Sequence, residues 1–316
     1  MIKHVLAVAA GKGGVGKSTV AVNLALALNN KGAKVGIIDA DLYGPSVRYM
    51  LPEEQLPSQG LDGKIIPAIA RGIVYISIDF FRKNGEASIV RAPIANAAIS
   101  QFLESVEWGD PDYLIIDFPP GTGDIQLTLA QQASLPGAIL VTWPQELSLI
   151  DVRKAAELFV KSRVPLLGIV ENMHGLFPGN AGLTLSQETG APLLLCVPFD
   201  LSINEHKLFD ELAEVLKNEL SRVEKGPEVR FTLADPSILR LEWEDGLVHE
   251  ISLAELQAHC PCARCREKDN RQPAEKGVLA DGVIGIGSYA LSIQFRSGCS
   301  KGVYPFEMLR RWRVHA

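Results

Sequence analysis

Gly11-Lys12-Gly13-Gly14-Val15-Gly16-Lys17-Ser18-Thr19 puts two lysines, four glycines and two hydroxyl side chains into nine residues. The chemistry this suits is the grip of a polyphosphate. Glycines let backbone N–H groups turn inward onto phosphate oxygens, and a following helix adds the positive end of its dipole. Lys17 stands where a phosphate-loop lysine reaches the β- and γ-phosphates, and Ser18 where a hydroxyl joins the Mg²⁺ shell. Lys12 is an extra lysine that a plain phosphate loop lacks.

Two further groups of acids sit where such a loop needs them. Leu114-Ile-Ile-Asp117 is an apolar run ending in a carboxylate that would hold Mg²⁺. It continues as Phe118-Pro119-Pro120-Gly121-Thr122-Gly123-Asp124, a Pro/Gly-rich loop suited to rearrangement when the γ-phosphate leaves. Ile37-Ile38-Asp39-Ala40-Asp41 ends another run with two acids, either of which could position an attacking water. A solvated loop residue is the competing reading for any single one of these acids.

The elements that must hold these groups read as α/β. His4–Ala10 is a short apolar run before the loop, and Ser18–Asn29 is an Ala/Leu-rich helix ending near Gly32. Val35–Ala40, Ile73–Ile78, Leu114–Phe118, Ala138–Trp143, Leu166–Glu171 and Leu193–Val197 are continuous apolar runs alternating with helical stretches. Unbroken hydrophobicity predicts strands buried on both faces of a mainly parallel, doubly wound sheet, with ligands at its carboxyl edge. A phosphate-loop domain is expected over residues 1–222, a polar Gly-Pro linker over 223–228, and a separate small α+β domain over 229–316. In that domain Leu239, Leu241 and Trp243 alternate up to the Asp245-Gly246 turn, and Tyr289, Leu291, Ile293 and Phe295 alternate up to Ser297-Gly298. Ser252 with Glu255 has the spacing of a capping box, and Pro305 suits the start of a last short helix.

Composition narrows the classes. The 316 residues are 47% hydrophobic and 22% charged, ordinary for a globular protein with a large core. A net charge of −6 gives no support for a nucleic-acid surface, and no apolar run approaches the ~20 residues that cross a bilayer. The N-terminal Lys3-His4 and apolar run resemble a secretory leader, but the apolar stretch is short and the phosphate loop follows at once. Four of the five cysteines, Cys260, Cys262, Cys265 and Cys299, form C-x-C-x-x-C plus a fourth 34 residues on, beside the second hairpin turn. Such spacing suits a structural zinc site or an iron–sulfur cluster in a reducing compartment. His259 is expected to point elsewhere, and Cys196, inside an apolar run, reads as a buried structural thiol. His174 reads as a surface residue.

GKGGVGKST, DADLYGPS at 39–46, WGDPDYLIIDFPPGTGD at 108–124, GIVENM at 168–173 and VPFD at 197–200 together resemble the Mrp/NBP-type branch of the deviant Walker A ATPases. That group also holds MinD, ParA and the nitrogenase iron protein. The resemblance implies a face-to-face homodimer in which Lys12 reaches the partner's phosphates. It also implies that Asp41 acts near the attacking water and that Asn172, Pro198 and Asp200 hold adenine. Such carriers have a C-x-x-C pair shortly after E-N-M, used for a bridging cluster; here residues 171–181 contain no cysteine. Residues 229–316, through CPCARC (260–265) and SYALSIQFRSGCSKGVYPFEMLR (288–310), resemble a small domain fused to chloroplast Mrp-type 4Fe–4S scaffolds and a zinc domain at the N-terminus of γ-butyrobetaine hydroxylase. In the zinc-binding relatives a histidine is the fourth ligand, whereas here it is Cys299.

The resemblance therefore implies a cytoplasmic or stroma-like ATP- and Mg²⁺-dependent carrier of 4Fe–4S clusters, slow and dimer-dependent in hydrolysis. Its partners would be cluster donors and apoprotein clients, without nucleic acid or stable membrane association. Two other readings stand beside it. One is a MinD/ParA-like positioning ATPase with Phe306–Val314 as a membrane-binding helix. The other is an ATPase whose zinc merely builds a docking module.

Overall fold

The continuous apolar runs become strands buried on both faces. In the computed structural model, which describes residues 2–42, 44–60, 63–81, 92–121, 123–133, 135–199, 205–225, 229–262, 265, 277–286, 290–300 and 302–312, β1 is His4–Ala10 and β2 Val35–Asp39. They are followed by β6 (Ile73–Ser77), β7 (Tyr113–Asp117), β8 (Gly137–Thr142), β9 (Leu166–His174) and β10 (Leu193–Pro198). Every residue of β2, β7 and β8 is buried, as a parallel sheet covered on both sides requires. Two two-residue strands, β3 (Ser58–Gln59) and β4 (Ile65–Ile66), pair apart from the sheet. The last sheet strand, β5 (Ala68–Ala70), pairs antiparallel with β6, and sequence reasoning missed it. Its turn is Arg71-Gly72, both at positive φ (50° and 78°), and the non-glycine first position hides the turn signal.

The strand order is β10-β9-β8-β1-β7-β2-β6-β5, parallel apart from β5. The strand that feeds the phosphate loop is therefore central. In register, Asp117 pairs with both Val8 and Asp39, so the two strand-end acids and the start of the loop stand at one level of the carboxyl edge. The helices are α1 (Lys17–Asn30), α2 (Val47–Met50), α3 (Ala92–Glu104), α4 (Asp124–Gln132), α5 (Glu146–Lys161), α6 (Ala181–Thr189) and α7 (Glu205–Lys225). In α1, Val20, Ala21, Leu24, Ala25 and Leu28 are buried, and Gly32 (φ 86°) ends it. Helix α7 runs three residues into the segment read as linker, and residues 226–228 lie outside the described residues.

Contacts divide the chain into Met1–Leu183 with Leu193–Leu220, and Thr184–Pro192 with Ser221–Ala316. In the second unit β11 (Val229–Asp235), β12 (Ile238–Trp243) and β13 (Val248–Ser252) form one antiparallel sheet. The strands β14 (Ala280–Ile286), β15 (Ala290–Phe295) and β16 (Val303–Pro305) form another, with the short helices α8 (Leu253–Ala258) and α9 (Phe306–Arg310). Leu239, Leu241, Trp243, Leu291, Ile293 and Phe295 meet in one core, as their alternation requires. Ser252 does cap α8, but its hydroxyl makes no capping bond, so the capping box is a spacing without its hydrogen bond. Pro305 closes β16, and the last helix starts one residue later. Phe306 and Leu309, in the stretch Phe306–Val314 read as a possible membrane-binding helix, are buried in this core, and Val314 lies outside the described residues. Among the described residues no helix is long and apolar enough to cross a membrane.

Candidate functional site

The nine-residue loop joins β1 to the first turn of α1, and its glycines are needed for space as much as for torsion. A Cβ on Gly11 would lie 2.0 Å from the backbone carbon of Asp151 on α5. Gly16 has φ 82°, and a Cβ there would lie 2.1 Å from the Asn172 amide nitrogen. The exposed Gly13 and Gly14 leave an open cradle, bordered on one side by Pro120 at 3.9 Å from a Gly13 Cβ. The loop after β7 thus flanks the phosphate loop. Gly121 donates to the Ala10 carbonyl, and Gln126 on α4 donates to the Pro119 carbonyl at 2.6 Å. Gly123 precedes α4, Asp124 is its first residue, and Thr122 lies outside the described residues.

Lys17 is buried, and its ammonium pairs with Asp117 Oδ1 at 2.5 Å and the Ser18 hydroxyl at 3.2 Å. Burial raises the Asp117 carboxyl above its ordinary range, and Lys17 opposes that shift. The other Asp117 oxygen is buried without a hydrogen-bond partner. A buried, orphaned carboxylate oxygen beside the Ser18 hydroxyl fits Mg²⁺, with Asp117 and Ser18 as the residues that would hold it.

Asp39 is fully buried, accepting bonds from the Ser77 hydroxyl at 3.1 Å and the Val47 N–H at 3.3 Å. Burial, then the charge of Asp117, pushes its carboxyl up to about 7. Asp41 is half-buried and accepts the Gly44 N–H at 3.1 Å. Of the two acids, Asp41 is the one with solvent access. Lys12 is exposed, its ammonium 5.3 Å from the ring centroid of Trp143, which stacks on Phe177 at 5.6 Å and 6°. Sequence reasoning took Trp143 only as the end of an apolar run, and its place beside Lys12 has no local signal.

Asn172 is buried on β9 and donates to the Val15 carbonyl at 2.9 Å, so it braces the phosphate loop. Pro198 ends β10, and Asp200 lies outside the described residues. Cys196, read as buried, is half-buried, because β10 is the edge strand of the sheet and only Val197 on it is fully buried.

In the second unit α8 delivers its chain end to the cysteines. The Cys260 N–H bonds to Gln257, and the Cys265 N–H to the Cys262 carbonyl. Gln257 also donates to the Ser297 carbonyl at 2.6 Å, tying α8 to the connection that carries Cys299. The sulfurs of Cys260 and Cys262 lie 3.7 and 3.6 Å from that of Cys299, and all four lie within 4.8 Å of one another. Cys260 is buried and the other three half-buried. Cys262 is drawn down to about 5 by the hydrogen bond from Cys260, while burial pushes Cys265 up to about 12. Four sulfurs converging with one thiolate already favoured is a donor set that fits zinc or an iron–sulfur cluster. His259 bonds the Glu255 carbonyl and packs edge-on against Trp312, outside this set.

The family model described as NUBPL iron-transfer P-loop NTPase matches residues 1–224, and that of the γ-butyrobetaine hydroxylase-like N-terminal domain matches 232–310. An iron-sulfur cluster carrier protein of Deinococcus radiodurans is 45% identical over 214 residues, covering 65% of this chain and 61% of the relative. That of Haemophilus influenzae is 51% identical over 261 residues, covering 78% and 69%. The chain spans about three fifths of the length of the first of these relatives. Among solved structures, a nucleotide-binding protein of Archaeoglobus fulgidus in complex with ADP superposes with a TM-score of 0.55 at 35% identity, covering 69% of this chain and 89% of that one. Because the NUBPL iron-transfer model matches residues 1–224, well over half of the chain, the chain belongs to the NUBPL iron-transfer P-loop NTPase family.

Proposed function

We propose that the chain is an ATP-hydrolysing carrier of 4Fe–4S clusters that delivers its cargo to apoproteins. The observation that carries this is the convergence of Cys260, Cys262, Cys265 and Cys299 within 4.8 Å in a chain of the iron-transfer NTPase family. The cluster is substrate here, held by four thiolates.

ATP would lie in the Gly11–Thr19 cradle, with adenine against Asn172, Pro198 and Asp200. Lys17 would exchange Asp117 for the β- and γ-phosphates. That exchange frees Asp117, together with Ser18, to hold Mg²⁺. Bound there, Mg²⁺ would neutralise developing phosphate charge. Asp41, held by the Gly44 N–H, would orient the attacking water. Lys12 would leave Trp143 for the phosphates of a second copy, which makes turnover slow and dimer-dependent. Residues Pro119 to Asp124 would move when the γ-phosphate leaves, opening the dimer and releasing cluster. Cluster donors and apoprotein clients are then its partners in a reducing, cytoplasm-like compartment.

The test is iron, sulfide and zinc analysis of anaerobically purified protein beside a variant with all four cysteines replaced by alanine. The proposal expects about four irons and four sulfides per cluster, absent from the variant. Zinc without sulfide would instead favour the docking-module reading, which the same four sulfurs also fit.

A further inference from the structure

We infer that Glu171, His174 and Cys196 form a second metal site, for a single divalent cation of zinc type, on the ATPase unit and separate from the four cysteines. Their ligand atoms, a carboxylate oxygen, a ring nitrogen and a sulfur, all lie within 4.8 Å of one another. Three protein ligands of mixed O, N and S character with one side open are the composition of a zinc site that keeps an exchangeable position.

The backbone brings these residues together against the ordinary rule for strands. Alternation along β9 would put Glu171 and His174 on opposite faces. Met173 between them has φ 57°, a left-handed conformation that a non-glycine residue adopts at a cost of about 1 kcal/mol or more. That residue rotates His174 back to the side of Glu171, leaving Nδ1 and Oε1 2.7 Å apart. The neighbouring strand supplies the third ligand. Cys196 of β10 pairs in register with Glu171, and an irregularity after it lets Pro198 pair with His174. Strain in one strand and a register shift in its neighbour thus converge on the same three side chains.

The carboxylate is oriented as a ligand is. Glu171 is 2% exposed, and its second oxygen accepts the Gly182 N–H at 2.7 Å near the start of α6. A backbone donor behind a ligating carboxylate fixes its direction, and a cation would take the place of the proton now shared between the other oxygen and His174 Nδ1. The His174 side chain is 52% exposed, which gives the ion a way in. The plain competitor is that His174 only satisfies a buried carboxylate through one hydrogen bond, in which case Cys196 has no part.

The two readings differ in zinc stoichiometry. Full-length protein, with Cys260, Cys262, Cys265 and Cys299 intact, is dialysed against Zn²⁺ and compared with Cys196→Ser and His174→Ala. The wild type is expected to hold one more equivalent of zinc than either variant. Because His174 also bonds the buried Glu171, ADP binding checks that the fold persists in both variants. With Co²⁺ as probe, a variant lacking the four C-terminal cysteines should still show a thiolate-to-cobalt charge-transfer band, lost on adding Cys196→Ser. Equal zinc equivalents in the wild type and both variants, or a cobalt band indifferent to Cys196, overturn the site.

Discussion

The phosphate loop and the cysteine cluster hold charged guests in opposite ways. The loop is backbone-built: two glycines, Gly11 and Gly16, with no room for a Cβ, a central buried strand, and one buried ion pair, Lys17–Asp117, that compensates its own charge. The cysteine cluster is side-chain-built, three thiols near the end of a short helix and one on a connection tied back by Gln257. The first keeps its shape through the sheet whichever partner Lys17 takes. The second gathers four sulfurs that cannot all ionise together without a cation. In the proposed function the loop is the switch and the cluster the load.

The largest effect is expected from Lys17→Ala. ATP turnover should fall at least about a hundredfold, since the residue acts on developing phosphate charge. The variant should also lose about 3–5 kcal/mol in denaturant unfolding, because Asp117 is left as an uncompensated buried charge. Metal content at the cysteines should not change, and a parallel loss would show that the two regions are one cooperative unit. The reciprocal change is Cys262→Ser, which removes the cluster's favoured thiolate. Bound iron should drop severalfold while ADP affinity is unaltered, read by metal analysis and calorimetry.

A smaller effect is set by pH. Folded Asp39 keeps its proton up to about 7, whereas the unfolded chain releases it near 3.8. The folded state therefore binds more protons between these values. The stabilisation is full below about pH 4 and is lost as pH rises through 7, by about 4 kcal/mol for a shift of about three units. With magnesium chelated, Asp39→Asn should lack this slope, and an unchanged difference from wild type between pH 4 and 8 would mean that Asp39 is ionised in the fold. Smallest is Gln257→Ala, expected to cost about 1 kcal/mol and to weaken metal retention by the cysteines without touching turnover.

How far each region was legible in the sequence follows from how it is built. The phosphate loop is contiguous, and the apolar runs around it are unbroken, so loop, strands and helix α1 stand within a residue or two of where the pattern puts them. The four cysteines were legible because thiols at short spacing have few other uses. What escaped depends on torsion or on distant packing. Strand β5 turns through Arg71 at positive φ. Trp143 reaches Lys12 only through the fold. His174 and Cys196 read as surface and core, because only Met173's left-handed backbone and the shifted register of β10 bring them to Glu171.

The proposed function requires that nucleotide at the first region controls cargo at the second. The direct measurement is the rate of cluster transfer to an apoprotein acceptor from anaerobically loaded protein, with and without Mg-ATP, for the wild type and Lys17→Ala carrying equal iron. Mg-ATP should change the rate severalfold in the wild type and not in Lys17→Ala. Transfer at one rate in all four conditions would mean that nucleotide does not control the cargo.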